Sequence, residues 1–497
     1  MNMKMIAAAC VAFCGASAFA AVTPSCNVAA AAADGVTLLK TCAPEITFYS
    51  AGASAVKGAV TATMTTDGKI FDKSKPFVTI NLSGNSNALA YYGYGATGTT
   101  WAGKRVAVIY NSTNGSMAGV NQLLTGLKTG SIEGGVDQQE YKTIQLHTAA
   151  AQKAGTSMPD ADVTVNTVSA LAPVVTLAAT RIADFKTAWG VDKQKVAHMA
   201  FSDVRPSEAT PGMIAKWDPK AFPSETIAMQ GFGVLVNTNM YKALQARDIA
   251  AGRMAADCQD NTATAACQPN ISTVDYTALM TGKVTAAADL GLTGTLTLHR
   301  RPASSGTQAS TQIRFAGQSA YVGKAPVNGL TTALSIAAFN MAGSEITNTA
   351  GVTEGVLVKT HSGTGDLITA IRGDSTGLSI GVASLDNSAT KFGANRAAQN
   401  AFWVKLDGIS PDFKGDGTLD SKYRTALKNG YSFAMEFQTI KSVKLAGDYS
   451  GIYAAIVNGL KDPAADLTGM AYIGSTDAAK NTPWTRGGNN YLPLNKY

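Results

Sequence analysis

Charge is scarce in this sequence. Of 497 residues, 34 are acidic, 41 are basic and four are histidine, and charged side chains make up only 15%. A disordered chain needs high charge and little hydrophobicity, so a composition 45% hydrophobic excludes that class. The length allows two or three globular domains. Lysine and arginine are scattered, and no stretch has the density of a phosphate-tracking arm. The net charge of +7 therefore does not point to nucleic acid. No apolar run reaches the roughly eighteen residues of a membrane span, and no repeat of fixed period is visible. His147, His198, His299 and His361 fit neither a catalytic triad nor a metal spacing, so no cofactor is expected.

The first twenty residues carry a single charge, Lys4, then an apolar core from Met5 to Phe13 and a small-residue site at Ala18-Phe19-Ala20. That is the pattern of a secretory signal peptide over 1–20, and it predicts a periplasmic or secreted protein. Neither Cys10 nor Cys14 sits in a lipoprotein pattern. Four cysteines follow, Cys26, Cys42, Cys258 and Cys267. Their clustering favours Cys26–Cys42 and Cys258–Cys267 among the possible pairings. A zinc site is disfavoured because neither pair has C-x₂-C spacing and no histidine lies nearby.

The rest of the chain alternates short apolar runs with segments of helical period. Ile46–Tyr49 turns through Ser50-Ala51-Gly52-Ala53-Ser54 into Val56, Ala59, Val60 and Met64. Val106–Tyr110 turns through Asn111 to Ser116 into Val120, Leu123, Leu124 and Leu127. Ala197–Phe201 ends in Ser202-Asp203, and Leu292–Leu298 leads through His299 to Thr307 into a helix over 308–318. Strands alternating with helices across Gly/Ser turns predict an α/β fold with a mixed, largely parallel sheet. Ala88–Lys104 and Gly130–Thr167 read as insertions or loops, and Ser335–Glu354 and Leu385–Thr418 carry no clear pattern.

The turn from Arg301 to Thr307 has the parts of an anion cradle. Backbone N–H groups at a helix start lack intrahelical partners, and the helix dipole favours negative charge there. Ser305 and Thr307 add hydroxyls, Gly306 admits close backbone approach, and Arg301 supplies a charged fork. Ser54, Ser116 and Asp203 end similar units. Any one such turn is an ordinary connector; four in order, with an arginine and an aspartate, point to a ligand site.

These motifs resemble the periplasmic phosphate-binding proteins of ABC transporters. Ser50-Ala51-Gly52-Ala53-Ser54 is similar to that family's Gly-Ala-Gly-Ala-Thr loop, and Gly115 to Gln122 to its Gly-Ser-Ser-Gly-Gly turn and helix. Phe201-Ser202-Asp203 resembles its post-strand aspartate, and Arg300 to Thr307 its Arg-Arg-Ala-Asp-Gly-Ser-Gly-Thr motif. Gly231–Asn237, Thr281–Val284 and Thr376–Gly381 are weaker matches. The resemblance, patchy over 45–385, implies a two-lobed periplasmic binding protein fold (type II) with a hinge. Lobe I would take 21–235, with insertions around 88–104 and 130–167. Lobe II would take 236–430, and 431–497 would return to lobe I. It also implies a non-enzymatic, monomeric protein that holds phosphate or a similar oxyanion for an inner-membrane ABC permease. Ser54, Ser116, Ser305 and Thr307 would donate hydroxyls, Gly306 a backbone N–H, and Arg301 would pair with the charge. Asp203 would accept a proton from the ligand.

The chain departs from the family at three points. Ala303 stands where the family has an aspartate that holds the arginine, Ala55 replaces an aromatic residue, and 87 positions separate Ser116 from Asp203. An adhesion or matrix protein reusing the fold is the alternative, and a secreted phosphoesterase a more distant one. Gly93 to Gly98 fits a dinucleotide motif without the helix it needs. Asp412 to Asp420 is similar to a calcium loop, but Lys414 and Tyr423 occupy ligand positions, so an acidic turn is expected. Tyr91, Tyr92, Tyr94 and Trp101 form either loop packing or an aromatic binding face.

Overall fold

A computed structural model gives the fold. It describes residues 44–66, 68–75, 77–81, 88–112, 115–126, 163–169, 172–177, 197–209, 214–302, 304–316, 356–361, 363–387, 399–463, 466–473, 475–476, 480–487, 490 and 495–496. The expected leader over 1–20, Cys26, Cys42, Ala303, most of Gly130–Thr167 and all of Ser335–Glu354 lie outside the described residues.

In chain order the first strands are β1 (Ile46–Gly52), β2 (Phe77–Asn81), β3 (Ala88–Tyr94), β4 (Arg105–Asn111), β5 (Val163–Ser169), β6 (Ala172–Leu177), β7 (Met199–Ser202) and β8 (Ser224–Val236). There follow β9 (Asn270–Ile271), β10 (Leu296–Arg300), β11 (Val356–Thr360), β12 (Leu378–Ser384), β13 (Phe402–Trp403), β14 (Lys405–Leu406), β15 (Ala434–Lys441) and β16 (Met470–Ile473). The helices are α1 (Lys57–Thr66), α2 (Gly115–Gly126), α3 (Thr238–Ala250), α4 (Thr273–Met280), α5 (Gly306–Ala316), α6 (Thr364–Gly373), α7 (Thr425–Lys428) and α8 (Gly447–Lys461).

The architecture is α/β, as the alternating pattern implies, with a mixed sheet. Two parallel groups carry the motif loops. β7, β1 and β4 run parallel with β1 in the middle, and β11, β10 and β12 run parallel with β10 in the middle. Two antiparallel strands, β8 and β15, join the groups. The second half of β8 pairs with β12, its first half with β15, and β15 in turn pairs with β7. Among the described residues the two largest apolar clusters lie along this sheet. Phe48, Val60, Val108 and Phe201 belong to one, and Ile452, Ile456 and Leu460 of α8 dock on it at helical spacing. Val234, Val236, Leu244, Leu298, Ile313 and Ile380 belong to the other.

Ala88–Lys104 differs from the loop expectation. Its first half is β3, paired on both sides with β2 and β4. Tyr91 and Tyr92 are fully buried, and the Trp101 indole donates to the Ile70 carbonyl at 3.0 Å. Tyr91, Tyr92 and Trp101 therefore pack the interior and form no binding face. The interval between Ser116 and Asp203 also extends the sheet, since β6 pairs with β2 and β5 with β6.

Cys258 and Cys267 form the expected disulfide and close the connection between α3 and β9. Both are buried. By the entropy of so short a loop, replacing the pair by alanine should lower stability by about 2–3 kcal/mol. Differential scanning calorimetry with and without reductant checks this; the double variant should no longer respond to reductant.

Candidate functional site

Every motif loop leaves the carboxyl end of a parallel strand, where α/β sheets gather ligand groups. Ser54 opens a 3₁₀ turn after β1, Ser116 lies in the first turn of α2 after β4, and Asp203 directly follows β7. Arg301 directly follows β10, and Ser305, Gly306 and Thr307 lead into α5. The first three side chains belong to one parallel group, the rest to the other. The structure brings all seven together.

Local geometry explains the fit. The Ser305 hydroxyl accepts from the Gln308 N–H at 3.4 Å, which caps α5 and starts it two residues earlier than the sequence pattern suggests. Gly52 has φ of +131°, and a Cβ there would stand 2.0 Å from the Phe201 carbonyl oxygen; only glycine allows β1 and β7 to close so tightly. Gly306 faces the other group. A Cβ on it would lie 2.2 Å from Ser116 Oγ and 2.9 Å from Asp203 Oδ2. The N-termini of α2 and α5 thus meet head-on, and the Met117 N–H donates to the Ser304 carbonyl at 2.9 Å across the junction.

Two opposite charges sit in this junction, each only 1% exposed. The Arg301 guanidinium donates through Nη1 to Ser54 Oγ at 3.1 Å and Thr364 Oγ1 at 2.7 Å, and through Nε to the His361 carbonyl at 3.0 Å. Gln308 Oε1 accepts from its backbone N–H at 3.1 Å. Burial pulls the Arg301 pKa down to about 10, opposed by the nearby Asp203 and Asp366, so it remains a cation at neutral pH. Asp203 accepts from the Thr307 hydroxyl through Oδ2 at 3.1 Å, and its backbone N–H donates to Ser116 Oγ at 3.5 Å. Burial raises its carboxyl to about 6, opposed by Thr307, Arg301 and Ser116. Its second oxygen, Oδ1, is buried with no hydrogen-bond partner. The walls thus carry hydroxyls, a guanidinium and helix N-termini, together with one carboxylate oxygen in need of a donor.

No family model matches the chain, and no curated protein matches its sequence. Likenesses appear among solved structures. One is to a phosphate ABC transporter substrate-binding protein with bound phosphate from Clostridium perfringens, at TM-score 0.36 and 11% identity, over 84% of this chain and 94% of that one. A second is to an ABC-type phosphate transport receptor from Vibrio cholerae, at TM-score 0.28 and 12% identity, over 67% and 93%. A third is to PstS from Borrelia burgdorferi, at TM-score 0.31 and 10% identity, over 83% and 92%. At scores this low the reading of the site rests on the chain's own geometry.

Sequence reasoning overlooked Thr364. It opens α6 after β11 and joins Arg301 to Ser54, whose hydroxyl lies 3.5 Å from its own. Ser362-Gly363-Thr364 repeats the punctuation of Ser305-Gly306-Thr307 and was the available signal. The histidines are less scattered than their spacing suggests. His299 Nδ1 and His361 Nε2 lie 2.9 Å apart, the rings stack, and the pair backs Arg301. Burial pulls His299 down to about 3, so it is neutral and serves packing. Ala55 is buried, and its carbonyl accepts from the Gln230 amide at 2.7 Å. Asp412 and Asp420 are buried in a structural turn, where Asp420 accepts the Arg424 and Thr425 N–H groups. Among the described residues no cluster of histidine, cysteine or carboxylate side chains could hold a metal, and no helix is long and apolar enough to cross a membrane.

Proposed function

We propose that this chain is an exported solute-binding protein that captures phosphate, or a similar protonated oxyanion, between its two parallel groups. The observation that carries this reading is the orphaned Asp203 Oδ1 in a junction otherwise rich in donors. Ser54, Ser116, Ser305 and Thr307 supply hydroxyls, Gly306 a backbone N–H at a helix start, and Arg301 a buried positive charge. A fully ionised anion would repel the Asp203 carboxylate and leave it unsatisfied. An oxyanion that retains a proton donates to it. Such a site rejects sulfate because the wrong ligand leaves a buried polar group unpaired.

Binding and release require no bond to be made or broken. The halves, with boundaries near residues 235 and 430, close around the ligand by bending at β8 and β15. The signal-like leader supports export to the periplasm or beyond, and an inner-membrane ABC permease is the partner that would take the ligand from the monomeric protein.

Titration calorimetry with phosphate, arsenate and sulfate tests the reading. Phosphate and arsenate should bind and sulfate should not; equal affinity for sulfate, or no heat with any of the three, sinks it. A second check is steric. Gly306→Ala drives a methyl group into Ser116 Oγ, so phosphate affinity should drop roughly 10- to 100-fold, the usual cost of overpacking. Its melting temperature without ligand should change little, because the halves can part slightly to admit the methyl.

A further inference from the structure

β7 leaves the sheet just before Asp203, at a place where a side chain from far along the chain takes over. β7 pairs with β15 as far as Ser202 opposite Gln438. Beyond that point β15 meets Asn490 instead. The Glu436 N–H donates to Asn490 Oδ1 at 2.8 Å, and Asn490 Nδ2 lies 3.5 Å from the Glu436 carbonyl, so one amide side chain engages both backbone groups of that residue. The same Nδ2 donates to the Asp203 carbonyl at 3.4 Å and to Glu208 Oε2 at 3.1 Å. Glu208 Oε1 accepts the Asn490 N–H, and Glu208 Oε2 accepts the Arg205 N–H at 2.9 Å, which fixes the turn after Asp203. Arg486 anchors the segment. Its Nε donates to the Ala434 carbonyl and its Nη2 to the Ser432 carbonyl, while its N–H donates to Glu436 Oε1. Asn490, Glu208, Glu436 and Arg486 are all buried.

We propose that Asn490 is a positioning residue for Asp203. Its amide stands in for the missing continuation of β7 and ties the carboxylate loop to β15, the strand that joins the two halves. The side chain donates to the Asp203 backbone carbonyl and to Glu208, with no hydrogen bond to the Asp203 carboxyl. It sets where the Asp203 carboxyl sits against Ser116 and Thr307, so its loss moves that carboxyl and weakens its match to a protonated oxyanion. This role rests on the phosphate reading above, and its test has an arm that does not.

Asn490→Ala keeps charge constant, which matters because Arg301 and Tyr110 interact electrostatically with Asp203, and the Glu208 carboxylate, which accepts the Arg205 N–H, accepts from the same Asn490 amide. Two quantities are read. The first is phosphate affinity by calorimetry, expected to fall about tenfold, the worth of roughly one hydrogen bond. The second needs no ligand. The melting-temperature difference between each protein and its Asp203→Asn partner, followed from pH 4 to 8, reports the titration of Asp203 itself. Its midpoint should move by about half a pH unit or more in the Asn490→Ala background. If Asn490→Ala melts lower but leaves that midpoint in place, the residue is structural only and the proposal is overturned. If wild-type protein binds no phosphate, the functional reading fails while the ligand-free midpoint still decides this one. Should Asn490→Ala not fold, Asn490→Ser carries the same two measurements.

Discussion

Arg301→Ala is expected to reduce phosphate affinity by about 100- to 1,000-fold, to the edge of detection by calorimetry. Truncating one partner of a buried, hydrogen-bonded charge pair costs about 2–5 kcal/mol, much of it from the charge left behind. Here the charge left behind is the ligand's own, enclosed beside Asp203. The loss also removes donors from Ser54, Thr364 and the His361 carbonyl, so three oxygens lose their fixed partner together. Stability should respond differently. Without ligand the buried guanidinium is held against its preference for water, as its lowered pKa of about 10 records. The alanine variant should therefore melt no lower than about 2 °C below the parent, a shift worth about 2 kcal/mol for a chain of this size. Arg301→Lys should recover only part of the affinity, since one ammonium cannot reproduce a forked set of contacts. Affinity within threefold of the parent in Arg301→Ala would falsify the placement of the anion beside this residue.

Asp203→Asn should change selectivity more than any other substitution. The amide can donate where the carboxylate could only accept, so the penalty against a fully ionised ligand disappears. Sulfate should begin to bind and phosphate should weaken, with the ratio between them falling by at least about two orders of magnitude. The same variant predicts a pH-dependent stability. The Asp203 carboxyl sits at about 6 in the fold against an ordinary value of 3.8, so the native state holds its proton more tightly than the unfolded chain does. Its favourable contribution is complete below pH 3.8 and is lost as the pH rises to about 6; above that, the buried charge costs roughly 3 kcal/mol. Ligand-free Asp203→Asn lacks this term. It should melt above the parent at pH 7–8, and the gap should close towards pH 4. A gap that stays constant across that range contradicts the assignment of the raised group to Asp203.

The parts of the site that were legible from sequence share one property: each is encoded within about ten neighbouring residues. The turns after β1, β4, β7 and β10 show apolar runs, small residues and helical spacing in immediate succession. Thr364 belongs to such a turn as well, but β11 follows a segment without pattern, and the unit went unread. Asn490 had no local signal. Its role comes from Glu208 and Glu436, 282 and 54 positions away, and a single amide in a polar stretch predicts neither contact. The sequence of β3 failed for another reason. Ala-Leu-Ala-Tyr-Tyr-Gly-Tyr does not alternate, because most of its residues are buried whichever face they take, and period-two reasoning presumes one wet face. His299 and His361 looked isolated because the sheet, and not the sequence, puts β10 and β11 side by side.

The pairing of β7 with β15 also bears on how the chain reaches its final form. Gln438 lies 236 positions after Ser202, its partner. The β7–β1–β4 group therefore keeps one edge open while the whole of the second group is being made, and an open strand edge invites pairing with other chains. Contacts at such separation slow folding, since a long loop must close before they can form. Until β15 arrives, β7 lacks the partner that it has along that edge in the fold. The pairing of β7 with β15 is thus complete only once the chain extends past residue 441, the end of that strand.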